Sequence, residues 1–242
     1  MAGEASMAAA GMLAPGGEAH GDVPWARHTV EARRMYPDFV AELKGASGLE
    51  IDFRECGALD VASNDAVWAD LESRRAAQEP LGIQAREIGE AEGRELAPLL
   101  RPGSFRALFY SDDAIVDPCQ VNAALENVLR QAGAALVTRE RVTAIAVDGD
   151  GYTLRTAGAA GDDILLRAGT VVLAAGAWSS QIALPERTAS LGPAPRRALP
   201  VRGHLVECRR TPGMLRPIVR ENHLYVFQRG GGETLTGSNE ER

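Results

Sequence analysis

The chain is most informative at Thr170-Val-Val-Leu-Ala-Ala-Gly-Ala-Trp-Ser179, an apolar run in which the side chains shrink almost to nothing. Val171 to Ala175 has the composition of a buried β-strand, and Gly176 follows at its carboxyl end. Small residues at the end of a strand let another backbone or a flat ligand approach closely. Taken alone, however, such residues are more often explained by tight packing in a core.

An amphipathic helix and a series of short strands precede this run. Asp117 and Pro118 supply an N-cap and an N1 proline, and apolar residues then recur at helical spacing until Gly133. Turns such as Asp148-Gly-Asp-Gly151 separate the strands after this helix. The predicted strands are 134–139, 142–147, 152–156, 164–167 and 171–175. Together they indicate an antiparallel β-meander that leads into one buried strand.

The remainder of the chain mixes helices and strands, which is typical of an α+β fold. The pattern predicts a helix over 26–44, which Pro37 should bend or split. It also predicts a charged helix over 65–78 and acidic helical turns within 87–100. Further predicted strands are 49–55, 58–62, 201–209, 215–228 and 234–237, the last of them after a turn at 230–232.

The charge balance argues against polyanionic partners. The 242 residues carry 26 basic and 33 acidic side chains, a formal net charge of -7, so neither nucleic acid nor an anionic membrane surface is expected as a partner. The longest apolar stretch, Val171 to Ala177, is far shorter than the roughly 18 residues that span a membrane. These observations favour a protein that acts on small molecules.

The spacing of cysteine and histidine predicts neither a disulfide framework nor a metal site. Cys56, Cys119 and Cys208 are odd in number, far apart and without a Cys-x-x-Cys pair. We therefore expect buried thiols in a reducing cytoplasm. The four histidines fall at no spacing that would put two of them on one helix face, so no metal is expected.

A second run of small residues, Ala8-Ala-Ala-Gly-Met-Leu-Ala-Pro15, lies near the start of the chain. Taken alone, it would be a flexible alanine-rich tail. It occurs, however, in one order with Val201-Arg-Gly-His204, Tyr225-Val-Phe-Gln-Arg229 and Leu235-Thr-Gly237. That order resembles the FAD-dependent amino acid oxidases of the D-amino acid oxidase family, and within it the glycine oxidases of bacterial thiamine biosynthesis.

The resemblance implies a partial two-domain flavoprotein of the glutathione-reductase-like type, with FAD as cofactor. Residues 1–20 and 116–184 would belong to the FAD-binding domain, and residues 21–115 and 185–242 to the substrate-binding domain. The cofactor contacts implied are Ser6, Ala9, Ala10, Gly11, Met12, Val142, Ala175, Gly176 and Trp178. Tyr225 stands where the family has a tyrosine whose hydroxyl can hydrogen-bond the substrate carboxylate, although half-buried aromatics are also common in ordinary strands.

The implied activity is oxidation of the CH-NH2 group of glycine or a similar small amino acid, which would be the small-molecule partner. Hydride would pass from the substrate Cα to flavin N5, with oxygen as the acceptor that reoxidises the flavin. No catalytic residue is assigned, because flavin oxidation of a neutral amine needs no dedicated base. Sarcosine oxidases and D-amino acid dehydrogenases share most of these residues and are alternatives. A homo-oligomer is left open for the full-length protein.

Two features of the family are missing from the chain. In the family a Gly-x-Gly-x-x-Gly turn holds the pyrophosphate ahead of the position of Gly3, whereas only Met1 and Ala2 stand there. The family's substrate-binding arginine would lie beyond the last residue, Arg242. The chain is therefore expected to be truncated at both ends. A catalytically silent fragment or binding module that holds FAD weakly is the alternative to an enzyme, and a purely structural role is a weaker third.

Overall fold

A computed structural model of the protein describes residues 5–19, 24–101, 103, 105–158, 164–185, 201–237 and 240–241. The chain divides into two compact units. The first comprises Met1–Ala134 with Gly203–Glu240, and the second comprises Ala135–Arg202 with Glu241–Arg242. Within the described ranges, no helix is both long enough and apolar enough to cross a bilayer.

The helices of the described residues are α1 (Ala5–Ala8), α2 (Pro15–Glu18), α3 (Pro24–Ser47), α4 (Asp65–Gln78), α5 (Glu90–Leu96) and α6 (Pro118–Gln131). Short 3-10 turns occur at Glu79–Leu81 and Gly176–Gln181. Side-chain caps explain where two of the helices begin. Asn64 accepts a hydrogen bond from the Val67 amide at the start of α4, and Asp117 caps α6 as its sequence predicts.

The strands are β1 (Met12–Leu13), β2 (Phe53–Arg54), β3 (Ala58–Ala62), β4 (Ala85–Ile88), β5 (Arg106–Tyr110), β6 (Ala114–Val116), β7 (Glu140–Asp148), β8 (Gly151–Gly158), β9 (Leu165–Ala168), β10 (Arg202–Gly203), β11 (Val206–Arg209), β12 (Ile218–Glu221), β13 (Leu224–Gln228), β14 (Glu233–Gly237) and β15 (Glu240–Glu241). The predicted strand 58–62 and the predicted helix 65–78 are confirmed, as is the predicted helix between the Asp117 cap and Gly133, which the structure has at 118–131.

A seven-stranded mixed sheet forms the centre of the first unit, in the order β11-β14-β13-β12-β3-β5-β4. β12 pairs with β3 in parallel, and the remaining neighbours are antiparallel. Every residue of β3 is buried. Ala58 and Ala62 join the apolar cluster on one face, and Leu59 and Val61 join the cluster on the other, because successive side chains of a strand alternate.

Helices α3 and α6 pack together beside this sheet. Val40 and Leu43 of α3 share an apolar cluster with Val121 and Ala124 of α6. Of the two predicted effects of Pro37, the split does not occur, because α3 continues through that residue from Pro24 to Ser47, and the bend stays a prediction. Proline removes one backbone hydrogen bond from a helix, and the packing that follows Pro37 in this helix offsets the loss.

The second unit contains the antiparallel meander that the sequence predicts. β7 pairs with β8, and β8 pairs with β9. The register of the first pair shifts between Val142 and Ala144, as in a β-bulge. Among the described residues of this unit, Ile145 and Thr156 are the buried side chains, at 7% and 1% exposure.

Two predicted strands of the second unit are wrong. Residues 134–138 have no regular structure, and residues 170–175 likewise form no strand, so the predicted buried strand is absent and Val172 is 84% exposed. A segment becomes a strand only where a neighbour takes its N–H and C=O groups. No strand of the described residues pairs with 170–175.

Three further expectations need correction. The predicted strand 49–55 is reduced to Phe53–Arg54. The predicted strand 215–228 is a pair, β12 and β13, because Asn222 adopts a left-handed φ of 52° and reverses the chain. Cys208 is exposed rather than buried, while Cys56 and Cys119 are partly buried, and all three are free thiols.

Candidate flavin and substrate sites

The first group of predicted cofactor residues runs from α1 to β1, with Ala9, Ala10 and Gly11 in the segment between them. Ser6 and Ala9 are exposed, whereas Ala10, Gly11 and Met12 are partly buried. Gly11 has a φ of +90°, and a Cβ at this position would overlap the carbonyl oxygen of Val116. Only glycine fits here, for its backbone angle and for the close approach.

Hydrogen bonds hold this segment against the start of α6. The amide of Val116 donates to the Gly11 carbonyl at 2.9 Å, and Met12 pairs with Ile115 in the ladder between β1 and β6. The Cys119 thiol donates to the carbonyl of Met7 at 3.5 Å. The small-residue run is therefore an ordered part of the first unit and not a flexible tail.

Arg229, just after β13, links the same segment to the central sheet. Its Nη2 donates to the Ala10 carbonyl at 3.2 Å, and its Nη1 lies 3.5 Å from Oδ2 of Asp117. Asp117 uses its other oxygen to accept from the amides of Cys119 and Gln120, at 2.8 and 3.3 Å. One arginine thus ties together the candidate flavin segment, the N-cap of α6 and the strand that carries Tyr225.

Tyr225, the predicted substrate-binding residue, lies half-buried on β13. Its ring stacks on Phe227 with centroids 6.3 Å apart, and a Cβ at Gly237 would lie only 2.6 Å from its hydroxyl oxygen. Burial raises the pKa of Tyr225, and the negative charge of Glu18 raises it further. The hydroxyl therefore stays protonated at neutral pH and can donate a hydrogen bond.

Glu18 is a candidate residue that sequence reasoning missed. It ends the four-residue helix α2 and is exposed, yet its charge reaches Tyr225, more than 200 positions along the chain. The one signal in the sequence is its position directly after Pro15-Gly-Gly, which does not indicate a partner.

Buried charges lie beside Tyr225 on the same sheet. Arg220 is directly opposite Tyr225 across β12 and β13, so both side chains project from one face. Its Nε donates to Oδ1 of Asp60 at 2.5 Å, and its Nη1 is 2.9 Å from Oδ2 of Asp113. Arg74 of α4 pairs with the second oxygen of Asp60. These partners raise the pKa of Arg220 despite its burial, so its charge is permanent.

A cleft of about 230 Å³ opens next to this network. It is lined by Gly17, Asp60, Val61, Val67, Asp70, Leu71, Arg74, Arg220, Asn222 and His223. Both signs of charge are present, which suits a small zwitterionic molecule better than a polyanion or a lipid. Within the described residues, no group of His, Cys, Asp or Glu side chains is arranged to hold a metal ion.

The second group of predicted cofactor residues belongs to the second unit. Val142 lies on β7 at the shift in register. Ala175 and Gly176 begin the 3-10 turn that contains Trp178. Gly176 has a φ of +55° with open space where a Cβ would point, and Trp178 is 44% exposed.

These properties fit a flat ring system. A bare glycine backbone beside open space admits a planar ligand, and an exposed tryptophan offers a face on which one can pack. The structure groups Ser6, Ala9, Ala10, Gly11 and Met12 with Tyr225 in the first unit, and Val142, Ala175, Gly176 and Trp178 in the second. Their role as flavin contacts stays a prediction.

Comparison with known proteins identifies the family. The family of FAD-dependent oxidoreductases called DAO matches residues 1–242, the whole chain. The chain therefore belongs to the DAO family, whose cofactor is FAD. The predicted resemblance to the D-amino acid oxidase family is confirmed, as is the predicted cofactor class.

Among curated relatives, the glycine oxidase of Geobacillus kaustophilus is 27% identical over 240 residues, 98% of this chain and 61% of the relative. The hydrogen cyanide synthase subunit HcnC of Pseudomonas aeruginosa is 27% identical over 213 residues, 88% of this chain and 49% of that protein. The bifunctional protein ThiO/ThiG of Synechocystis is 25% identical over 251 residues, 98% of this chain and 33% of the relative.

Solved structures agree on the fold. The crystal structure of the Geobacillus kaustophilus glycine oxidase matches with a TM-score of 0.84 at 26% identity, over 100% of this chain and 62% of that one. The predicted α+β flavoprotein fold class is therefore confirmed. The chain spans about three fifths of the length of these glycine oxidases.

Proposed function

We propose that the protein oxidises the CH-NH2 group of glycine or a similar small amino acid, with FAD as cofactor and oxygen as acceptor. Membership of the DAO family supports the reaction class. The observation that carries the substrate class is the cleft with charges of both signs, one of whose lining residues, Arg220, lies directly opposite Tyr225. An amino acid presents the complementary pair of charged groups.

Each residue has a distinct part in substrate binding. The Tyr225 hydroxyl, which is protonated at neutral pH, donates a hydrogen bond to the substrate carboxylate. The Glu18 carboxylate accepts a hydrogen bond from the substrate amino group. Backbone groups of Ala9 to Met12 and of Ala175 and Gly176 contact the cofactor. Bound FAD supplies the two-electron acceptor for the hydride from Cα.

The test is an assay of the protein supplied with FAD, in which peroxide and the keto-acid product are measured with glycine, sarcosine and D-alanine. Tyr225→Phe is expected to raise KM about tenfold with a smaller change in kcat, because a hydrogen bond to a charged group is worth about 1.5 kcal/mol. Tyr152→Phe, on β8 of the second unit, is the matched control and should leave KM unchanged.

The outcomes separate the alternatives. Peroxide formed from glycine supports a glycine oxidase, and peroxide formed faster from sarcosine supports the sarcosine oxidase alternative. Oxidation of D-alanine by an artificial acceptor without peroxide supports a D-amino acid dehydrogenase. Absence of turnover with all three amines, despite FAD binding shown by its absorption spectrum, contradicts the proposal and favours a catalytically silent binding module.

Two finer parts of the proposal concern its setting. A role in thiamine biosynthesis follows from the likeness to glycine oxidases. Its test uses a bacterial strain that lacks its own glycine oxidase and expresses this protein, and measures growth of that strain without thiamine.

The cytoplasm is the proposed location, since Cys56, Cys119 and Cys208 are unpaired thiols. Fractionation of the native cells tests the location.

A further inference from the structure

The buried carboxylate of Asp113 is hydrogen-bonded to the backbone of the short helix α2. The amide of Gly16 donates to Oδ1 of Asp113 at 3.1 Å, and Asp113 is only 1% exposed. Its other oxygen lies 2.9 Å from Nη1 of Arg220. A backbone amide of α2 and a guanidinium of β12 thus share one carboxylate.

The backbone of α2 lies unusually close to this support. A Cβ at Gly16 would overlap the ring of Tyr110, and a Cβ at Gly17 would overlap the guanidinium of Arg220. In addition, Nε2 of Gln78 donates to the carbonyls of Gly16 and Ala19, both at 2.8 Å. The backbone of α2 is therefore fixed by hydrogen bonds to Asp113 and Gln78 and by close contact with Tyr110 and Arg220.

The position of α2 determines the position of Glu18. Glu18 directly follows Gly17, which lies over Arg220. Arg220 and Tyr225 are opposite each other on neighbouring strands and share a face of the sheet. A shift of α2 away from Arg220 therefore moves the Glu18 carboxylate relative to the Tyr225 hydroxyl.

We propose that Asp113 and Arg220 are positioning residues of the substrate site, which hold Glu18 against Tyr225 through the backbone of Gly16 and Gly17. The inference rests on the proposed function, in which Glu18 and Tyr225 bind the two charged ends of an amino acid. Neither Asp113 nor Arg220 needs to touch the substrate. Their effect reaches it through the four residues of α2.

The test measures the reactivity of Tyr225 and requires neither cofactor nor turnover. Tetranitromethane nitrates the phenolate form of tyrosine, so the nitration rate at pH 8, followed by peptide mapping, reports the phenolate fraction of each tyrosine. Glu18→Gln removes the negative charge next to Tyr225. Nitration at Tyr225 should then become faster, because loss of the Glu18 charge lowers the pKa of the Tyr225 hydroxyl and raises its phenolate fraction.

Two variants displace α2 by different means. Asp113→Asn weakens the contacts of this side chain with the Gly16 amide and with Arg220. Gly17→Ala places a Cβ against Arg220 and so moves α2 away from it, without any change of charge. Both should accelerate nitration of Tyr225 about as much as Glu18→Gln does, and neither should accelerate it further in the Glu18→Gln background. Asp112→Asn, the exposed neighbour, is the matched control and should leave the rate unchanged.

Several results would overturn the proposal. An unchanged rate in Glu18→Gln would show that Glu18 does not face Tyr225. A further contrary result is that Asp113→Asn and Gly17→Ala each accelerate nitration of Tyr225 equally in the wild type and in the Glu18→Gln background. That result would show that they act on Tyr225 directly or loosen the structure around it, and not through Glu18. If Asp113→Asn does not fold, Gly17→Ala gives the same comparison. If the protein does not oxidise amines but the nitration rates change as expected, the proposed function is refuted and the positioning of Glu18 by Asp113 and Arg220 is not.

Discussion

Gly11 shows how one residue orders a segment that its composition describes as a loose tail. Its positive φ and the missing side chain allow its carbonyl to accept from Val116 at 2.9 Å, which sets β1 beside β6. Without that close approach, the candidate flavin segment would lose one of its attachments to the first unit. Glycine is required there for space as well as for conformation.

Gly11→Ala is expected to lower the free energy of unfolding by about 3 kcal/mol or more, because left-handed strain and overpacking add. Gly213→Ala is the matched control. Gly213 has a φ of +83° with open space around a Cβ, so it should lose only about 1–2 kcal/mol. Urea unfolding measures the free energy of unfolding of both variants. Equal losses would show that Val116 moves aside without destabilising the protein.

Tyr110 gives stability a dependence on alkaline pH. Burial, with a smaller part from the charge of Asp60, raises the pKa of Tyr110 to about 12. The unfolded chain therefore loses this proton first, near pH 10, and the contribution to stability is lost as pH rises from 10 to 12. The loss amounts to roughly 2–3 kcal/mol, at 1.36 kcal/mol per pKa unit.

Urea unfolding at pH 9, 10 and 11 measures this loss. Tyr110→Phe should flatten the decline between pH 10 and 11, whereas Tyr152→Phe should not. The same decline in the wild type and in Tyr110→Phe would assign the pH dependence to other groups.

At the scale of elements, α6 is the clearest agreement between sequence and structure. Asp117, Pro118 and the apolar spacing up to Gly133 predict the helix that is found at Pro118–Gln131. A cap and an amphipathic stripe act within a few residues, so they can be identified without knowledge of the rest of the fold. The additional ion pair between Asp117 and Arg229 depends on the tertiary structure.

Asp117→Ala should cost about 2 kcal/mol, at the upper end of the range for an N-cap, since it also removes the partner of Arg229. Asn64→Ala is the comparison. Asn64 caps α4 with one bond, to the Val67 amide at 3.0 Å, and should cost about 1 kcal/mol. Thermal unfolding measures the difference, and equal costs would show that the ion pair adds nothing.

The segment 170–175 is the clearest disagreement. Its apolar residues have the composition of a buried strand, but a strand is a property of two segments and a run of residues specifies only one of them. The described residues contain no strand that pairs with it. Composition predicts which segments can pair, and only the arrangement of the chain decides which ones do.

At the scale of the molecule, the two units differ in how much they bury. The first contains three apolar clusters around its sheet and helices, whereas the described part of the second buries only Ile145 and Thr156. Local opening costs little where few apolar contacts are lost. The second unit should therefore open more readily than the first.

Hydrogen exchange followed by mass spectrometry tests this difference. Peptides from β7 and β8 should exchange at least tenfold faster than peptides from β3 and β5, although all four strands are hydrogen-bonded in ladders. Equal protection of the two sets would mean that the second unit is stabilised by more than its own described side chains.

By itself the sequence determined the features that depend on neighbours along the chain: the capped helix α6, the meander with its Gly/Asp turns, and the order of motifs that marks the DAO family. The tertiary structure alone decided the polar pairs around Tyr225. Gly16 and Asp113 are 97 positions apart, and Asp60 and Arg220 are 160 apart. Such pairs form because the order and register of the strands bring distant residues onto one face, and no local pattern encodes that order.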